Sequence, residues 1–405
     1  MSEKIRQNLK VIVPEIVEKM GINEYELEIG RQIERGQNYM GTIIFFKVIC
    51  KDNMVTHNFV MKVAKVSEAL RKNIPVEKAF NRELVMYNEV FPAFQNLIAE
   101  VYPAFEFDCI PKVYWTNSVI NEEALILENL ETRGYLMYDR TKPWDFDHVM
   151  LAMENFGRFH ALSLALRDQK PAVFENLKKK ITTSILMEYA KKMNLWQFHG
   201  KYLKHAKDLL SNSGREDLVK KFDSFDEEIE SIIQDPIEED KIVISHGDSW
   251  SCNFMFKYQE EYPTKPLKIC MLDYQLSYVD SPVRDLSYNI YTTCDKTCLD
   301  QLDLLLQGYY SSLSRSLRNL GSDPEQVFTY EQLKRHWKQY SKFGLLLSSC
   351  IIKLELTENS DAPDLQNSAE EGKEVNDYYD AELQNEEEYD RRILDVFTHY
   401  GDDFL

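Results

Sequence analysis

The hydrophobic period of this chain changes once along its length, from the two-residue alternation of strands to the 3.6-residue spacing of helices, and that change limits the fold more than any other feature. Residues 27–33, 42–50 and 57–63 are runs rich in β-branched and aromatic side chains, separated by polar turns at 34–39 and 51–54, which reads as an antiparallel meander. Residues 76–90 then place Phe80, Leu84 and Tyr87, with Val76 and Val90, on one helical face. Further strands are expected at 112–116 and 124–127, and residues 129–135 are polar and turn-like. From Phe146 onward helical patterns dominate, at 150–166, 215–233, 300–317, 330–356 and 378–399, interrupted only by short strands at 242–245 and 269–272 around a hairpin-like stretch. No repeat of fixed period is visible. The expectation is an α+β chain of two lobes: residues 1–130, an antiparallel sheet lobe ending in a hinge, and residues 131–405, a larger and mainly helical lobe.

A length of 405 residues with 44% apolar composition is enough to bury a large core in such an arrangement. Residues 7–20 lack the uninterrupted apolar core and small-residue cleavage site of a secretion signal. The most apolar stretch, 343–352, contains Ser348 and Ser349 and is far shorter than the roughly 20 residues of a membrane span. A soluble, cytoplasmic protein without a membrane span is expected. The seven cysteines are odd in number and sparse, which does not read as a disulfide framework, and Cys294 and Cys298 lack the second pair that a zinc site requires. Of the net charge of −19, residues 355–390 supply −13, with fourteen acidic residues against Lys373 alone. That segment reads as a solvated or flexible surface, or as a lure for a basic partner. Neither reading supports nucleic-acid binding, whose affinity comes mostly from basic contacts to phosphate.

The strongest chemical signal is Ser245-His246-Gly247-Asp248-Ser249-Trp250-Ser251-Cys252-Asn253, followed after a short strand by Leu272-Asp273-Tyr274-Gln275. Phosphoryl transfer to an alcohol needs a carboxylate to take the hydroxyl proton and oxygen ligands to hold Mg²⁺ against the phosphates of ATP. Asp248 suits the first task, Asn253 and Asp273 the second. Taken singly, Asp248 and Asn253 read as turn formers; the joint pattern next to short strands reads as a catalytic constellation, with His246 organising the loop.

The first half supplies the matching parts. Gly36-Gln37-Asn38-Tyr39-Met40-Gly41 lies between two strands, where glycine lets backbone approach phosphate without a Cβ in the way. Lys62 sits inside the apolar run Phe59-Val60-Met61-Lys62-Val63, where burying a cation is costly unless an anion meets it, and Glu83 in the next helix is the candidate anion. A strand lysine paired to a helix glutamate is the arrangement that orients ATP phosphates in kinases. Leu125-Ile126-Leu127-Glu128-Asn129-Leu130 ends the last strand of this half and reads either as an ordinary strand end or as a hinge whose Glu128 carbonyl and Leu130 amide bond adenine.

Together these segments resemble the ecdysteroid-kinase-like proteins, relatives of choline kinase and the aminoglycoside phosphotransferases. The resemblance rests on Gly36-Gln-Asn-Tyr, Val60-Met-Lys62-Val, Phe80-Asn-Arg-Glu83, Leu127-Glu-Asn-Leu130, His246-Gly-Asp248-Ser-Trp-Ser-Cys-Asn253, Leu272-Asp273-Tyr-Gln275 and Ser281-Pro-Val-Arg-Asp285-Leu-Ser-Tyr. It implies a bilobal protein-kinase-like fold, ATP and Mg²⁺ as cofactors, and transfer to the hydroxyl of a small molecule such as an ecdysteroid, another sterol or a xenobiotic alcohol. By motif, Asp248 would be the catalytic base, Asn253 and Asp273 the Mg²⁺ ligands, and Lys62 and Glu83 the phosphate-orienting pair, with Gly36, Asn38, Gly41, Glu128 and Leu130 also on the nucleotide. Asp285 would support the catalytic loop. The chain departs from protein kinases at Asn38, where they carry a second glycine, and at Gln275, where Asp-Phe-Gly has its glycine. It departs from the family at Cys252, where asparagine is common. No Ala-Pro-Glu segment follows Asp273, which argues against a protein substrate.

All five positions Lys62, Glu83, Asp248, Asn253 and Asp273 carry competent side chains, which favours an enzyme over a nucleotide-binding or hydrophobic-ligand-binding protein that has lost catalysis, or over a scaffold built on the acidic segment. Trp144, Trp196, Phe198 and Tyr202 either face a flat apolar acceptor or belong to the core.

Overall fold

The computed structural model describes residues 3–33, 39–192, 195–225, 228, 232, 241–358, 361–374, 377 and 383–405. Strands β1 (Tyr25–Ile33), β2 (Gly41–Cys50), β3 (Thr56–Ala64), β4 (Val113–Asn117) and β5 (Ala124–Glu128) form one sheet in the order β1-β2-β3-β5-β4. Every neighbouring pair is antiparallel. Alternation along β2 and β3 sends Ile44, Phe46, Val48, Phe59 and Met61 to one face, and Ile43, Phe45, Val60 and Lys62 to the other.

The first face is covered by a helix that the sequence reading does not assign, α1 (Glu3–Lys19). Its Leu9, Ile12, Val13, Ile16 and Val17 recur at helical spacing and are buried against the sheet. The second face turns toward α2 (Glu68–Asn73), α3 (Val76–Val85) and the rest of the molecule. The helix expected at 76–90 continues farther, through a wider π-helical turn at Met86–Val90 into α4 (Phe91–Val101). Pro92 explains the widened turn, since a residue without an N–H breaks the regular ladder behind it.

After β5 the chain makes a single 3₁₀ turn, Leu130–Arg133, closed by Gly134 at φ 82°. It then enters β6 (Tyr135–Met137), a three-residue strand that starts at the last residue of the segment read as turn. Beyond it the fold is mainly helical, opening with α5 (Phe146–Gln169). The strand expected at 242–245 is β7 (Val243–Ile244), paired with β10 (Val279–Asp280). The hairpin-like stretch is β8 (Phe254–Tyr258) against β9 (Pro266–Met271), and β6 adds to its edge. The helix expected at 330–356 is two helices, Tyr330–Tyr340 and Lys342–Leu356, meeting at Ser341. Of the helix expected at 215–233, Glu216–Lys221 is helical, and most of 226–233 lies outside the described residues. The last helix begins at Glu386 rather than 378, where the Asn385 side chain accepts from the Glu388 amide and caps it; residues 378–382 lie outside the described set.

The architecture is the expected α+β, bilobal, kinase-like one. All seven cysteines are free and buried. Among the described residues no helix is long and apolar enough to cross a membrane.

Candidate active site

The loop that follows β7 is held by one buried carboxylate. Asp285, one turn into the helix Pro282–Thr293, accepts the His246 amide at 2.6 Å on Oδ2, the Gly247 amide at 2.8 Å on Oδ1 and the Ser249 hydroxyl at 3.0 Å on Oδ1. His160 of α5 lies 3.2 Å from Oδ2 through its Nε2. Burial pushes the Asp285 carboxyl up, but the hydrogen bond and charge of His160, then His246 and the Gly247 amide, outweigh it and leave its pKa below the ordinary carboxylate value. Gly247 is required by geometry: its φ is +83°, and an added Cβ would stand 2.2 Å from the Leu276 carbonyl oxygen. His246 places Nε2 2.9 Å from the Leu272 carbonyl, and burial lowers its pKa, so it serves the loop as a neutral spacer. This matches its reading as an organiser.

Asp248 emerges from that loop with both oxygens engaged. Tyr288 donates its hydroxyl to Oδ1 at 3.0 Å, and the Asn253 side-chain amide donates to Oδ2 at 2.9 Å. Burial, and then the nearby charge of Asp273, raise the Asp248 pKa to about 7, against the pull of those two hydrogen bonds and of Lys62. A carboxylate so tuned is matched to proton transfer near neutral pH.

Asn253 and Asp273 are brought together by the β8–β9 register. Phe254 pairs with Met271, and the next residues out, Asn253 and Leu272, are joined by the Leu272 N–H to the Asn253 carbonyl at 2.8 Å. Asp273 comes next, in a left-handed backbone conformation, φ 62° and ψ 72°. Its Oδ1 lies 2.8 Å from Lys62 Nζ, and Glu83 Oε2 lies 2.7 Å from the same nitrogen. Burial opposes charge on Lys62, but Asp273 and Glu83 outweigh it and raise its pKa, so the ammonium is kept. The sheet therefore delivers Lys62, α3 delivers Glu83, and the hairpin delivers Asp273 to one point.

These residues line a cleft of about 830 Å³ of empty space. Lys62, Glu83, Asn253 and Asp273 form one end; Glu128, Asn129, Leu130 and Glu131 form the other, between the apolar walls of Ile33, Ile43, Val60, Met255 and Leu272. The Glu128 amide is used by the Lys112 carbonyl at 2.9 Å, and its carboxylate by the Lys112 amide and Arg133, each at 2.8 Å. Gly41 stands apart from this lining, at the start of β2 opposite Ala64. Gly36 and Asn38 lie outside the described residues.

A second pocket, of about 880 Å³ with its open mouth included, is lined by Asp248. Tyr39, Tyr189, Trp250, Tyr288, Leu347 and Ile351 are among its walls, and Asp248 is the only carboxylate among the described residues that line it. The aromatics singled out from the sequence are not these. Trp144 is core, edge-on to Phe254 and Phe256, and Tyr202 borders a separate surface groove. Trp196 and Phe198 lie outside the residues whose side chains are described.

Sequence reasoning misses Tyr288, Glu355 and Arg392. Tyr288 has a signal, since it stands three residues after Asp285 and so shares its helix face. Glu355 has one too, as a charge ending the apolar run from Phe343, yet it falls at the start of the acidic segment read as solvated. The structure corrects that reading for this residue: Glu355 is 1% exposed, whereas Glu358, Asp361, Glu370, Glu371 and Glu374 are exposed as expected.

Solved structures similar to this chain include an ethanolamine kinase of Plasmodium vivax, 14% identical, covering 90% of this chain and 85% of that one with a TM-score of 0.39. An aminoglycoside 2'-phosphotransferase-IIIa in complex with GDP is 10% identical over 85% of this chain and 91% of its own, with a TM-score of 0.39. An aminoglycoside-3'-phosphotransferase of type VIII is 12% identical over 79% and 97%, with a TM-score of 0.30. No curated protein matches the chain. The profile of the ecdysteroid kinase-like family matches residues 35–322, more than two thirds of the 405 residues, and takes in Lys62, Glu83, Asp248, Asn253, Asp273 and Asp285. The chain belongs to the ecdysteroid kinase-like family.

Proposed function

We propose that this protein transfers the terminal phosphoryl group of ATP to a hydroxyl of a small, predominantly apolar molecule. The observation that carries the reading is the position of the Asp248–Asn253 pair at the meeting of two cavities. Asn253 faces the cleft that holds Lys62 and Asp273, and Asp248 faces the apolar cavity beyond. In this reading Asp248 accepts the proton of the acceptor hydroxyl, while Tyr288 and Asn253 fix the orientation of its carboxylate. Lys62, braced by Glu83, meets the phosphates; the Glu128 carbonyl and Leu130 amide meet the base; Gly36, Asn38 and Gly41 belong to the phosphate loop.

The donor set suits magnesium. Asn253 spends its Nδ2 on Asp248, which leaves Oδ1 as its ligand atom, and Asp273 adds a carboxylate, so both donors are hard oxygens. Among the described residues no group of three His, Cys, Asp or Glu side chains forms a metal cluster. Magnesium at phosphates does not need one, because it takes one or two protein oxygens and completes its shell with phosphate and water. Bound there, Mg²⁺ would neutralise charge on the phosphates during transfer.

The acceptor cavity favours neutral alcohols. Its lining is mainly apolar and aromatic, and among the described residues the one carboxylate there is the proposed base, committed to the acceptor hydroxyl. An ecdysteroid, another sterol or a xenobiotic alcohol fits this lining. Division of the chain into a nucleotide lobe, 1–130, and a catalytic and acceptor lobe, 131–405, is part of the same reading, as is a reducing, cytoplasmic setting for seven free thiols.

The test is mass gain of one phosphate across a panel of ecdysteroids, other sterols, plant-derived alcohols, choline and aminoglycosides, with ATP and Mg²⁺. One acceptor modified by the wild type is expected, with turnover lower by about 10² to 10⁴-fold in Asp248→Asn and ATP binding retained. Equal turnover in Asp248→Asn would remove the assigned base. Absence of Mg²⁺·ATP binding in the wild type would favour a ligand-binding protein without catalysis.

A further inference from the structure

Both oxygens of the buried Glu355 carboxylate are in use. Its Oε1 accepts the backbone N–H of Ser251 at 3.3 Å and the Ser251 hydroxyl at 2.6 Å. Its Oε2 lies 3.1 Å from Nη2 of Arg392, which is itself 1% exposed on the helix Glu386–Phe404. The same guanidinium nitrogen donates to the Thr292 carbonyl. Thr292 lies at the end of the helix Pro282–Thr293, whose Asp285, Tyr288 and Asn289 grip the catalytic loop from the opposite side, Asn289 through a 2.8 Å bond to the Ser249 carbonyl.

The loop is thus clamped twice, and Arg392 ties the two clamps together. Ser251 opens a 3₁₀ turn of three residues whose last member is Asn253. In so short a turn, fixing the amide and hydroxyl of the first residue fixes the direction of the third. We infer that Glu355 and Arg392 are positioning residues for phosphoryl transfer: their ion pair sets the turn that presents Asn253 to the metal-bound nucleotide. Both lie beyond residues 35–322, where the family profile matches, and in this inference the C-terminal helix takes part in the site through Arg392. One nitrogen, Nη2 of Arg392, thus serves the carboxylate and the carbonyl at once. The inference rests on the nucleotide-site reading above.

The experiment is calorimetry of ATP binding to the full chain, with Mg²⁺ and with EDTA, beside the unfolding temperature of each variant. Glu355→Gln keeps the shape but cannot serve both partners, because the amide nitrogen must face either Ser251 or Arg392. Outer-shell partners of metal ligands typically contribute about 10 to 100-fold in metal affinity, so the Mg²⁺-dependent gain is expected to fall by about tenfold or more, with affinity in EDTA unchanged. Ser251→Ala removes one hydroxyl and stays informative where Glu355→Gln fails to fold; it is expected to lower the same gain. The double variant is expected to lose less than the sum of the two single losses, because both disturb the contact between the Ser251 hydroxyl and the Glu355 carboxylate. A lower unfolding temperature with an unchanged Mg²⁺-dependent gain would make the pair merely structural and overturn the inference, leaving the nucleotide site in place. A wild type without any Mg²⁺-dependent gain would overturn the nucleotide reading and this inference together.

Discussion

Asp273 holds a backbone conformation, φ 62° and ψ 72°, that a residue with a Cβ adopts at a cost of about 1–2 kcal/mol. Its surroundings explain why the cost is borne. The turn out of β9 must bring a carboxylate back toward Lys62, 2.8 Å away, and only a left-handed residue reverses the chain that sharply after Leu272 is tied to Asn253. Replacing the side chain should therefore separate function from strain. Asp273→Ala and Asp273→Gly are both expected to lose at least about tenfold in Mg²⁺-dependent ATP affinity, while the glycine variant is the more stable of the two by about 1 kcal/mol. Calorimetry and urea denaturation read the two effects; equal stability of the variants would mean that the left-handed backbone is not strained. Lys62 and Glu83 are legible in the sequence because a cation in an apolar strand needs an anion, and the next helix offers one on its apolar side. Tyr288 and Glu355 stand out only as residues, by helix face and by a charge ending an apolar run; their partners Asp248 and Ser251 lie 40 and 104 residues away, and no local pattern encodes those pairings.

Elements are legible wherever period alone decides. The strands at 25–33, 41–50 and 56–64 come out within two residues of expectation because alternation and polar turns mark both ends. β6 escapes because three residues carry no period, and α1 escapes although its apolar residues recur at 9, 12, 13, 16 and 17. The break at Ser341 is hidden inside one continuous helical pattern. Just past that break, Gly344 lies against the helix Pro282–Thr293 so closely that an added Cβ would stand 2.2 Å from the Ser287 carbonyl carbon. The two helices that carry Glu355 and Asp285 are thereby set at their spacing by one missing side chain. Gly344→Ala is expected to force them apart and to cost about 1–3 kcal/mol, the usual penalty of overpacking. Its midpoint in urea checks this, and a midpoint equal to wild type would mean that the crossing has slack.

At the scale of the whole molecule, buried neutral imidazoles make folding sensitive to acid. Burial lowers the His199 pKa from 6.5 to about 4, so between those values the unfolded chain takes up a proton that the folded chain refuses. Stability from this residue is fully present above about pH 6.5 and is lost as pH falls toward 4, on the order of 3 kcal/mol in all. His246, also lowered by burial, adds in the same direction. The urea midpoint of His199→Gln is expected to gain on that of the wild type as pH falls across this window, a comparison that cancels the opposite contribution of Asp248, whose raised pKa favours the folded state in acid; a difference between the two that stays constant from about pH 7 to about pH 5 would show that His199 is not kept neutral. The division into a sheet part and a helical part is visible in the sequence, whereas the tie between the final helix and the loop after β7 is not, since it depends on a pair of charges brought together only by the finished fold.

Asp285 gathers donors from α5 and from three positions of the loop after β7 onto one buried carboxylate. No single one of those contacts can be released cheaply, because freeing any donor strands both it and the charge away from water. The loop has therefore no graded way to loosen. It is assembled whole or it comes apart with the body of the helical lobe, and motion in this protein is left to the parts that Asp285 does not hold.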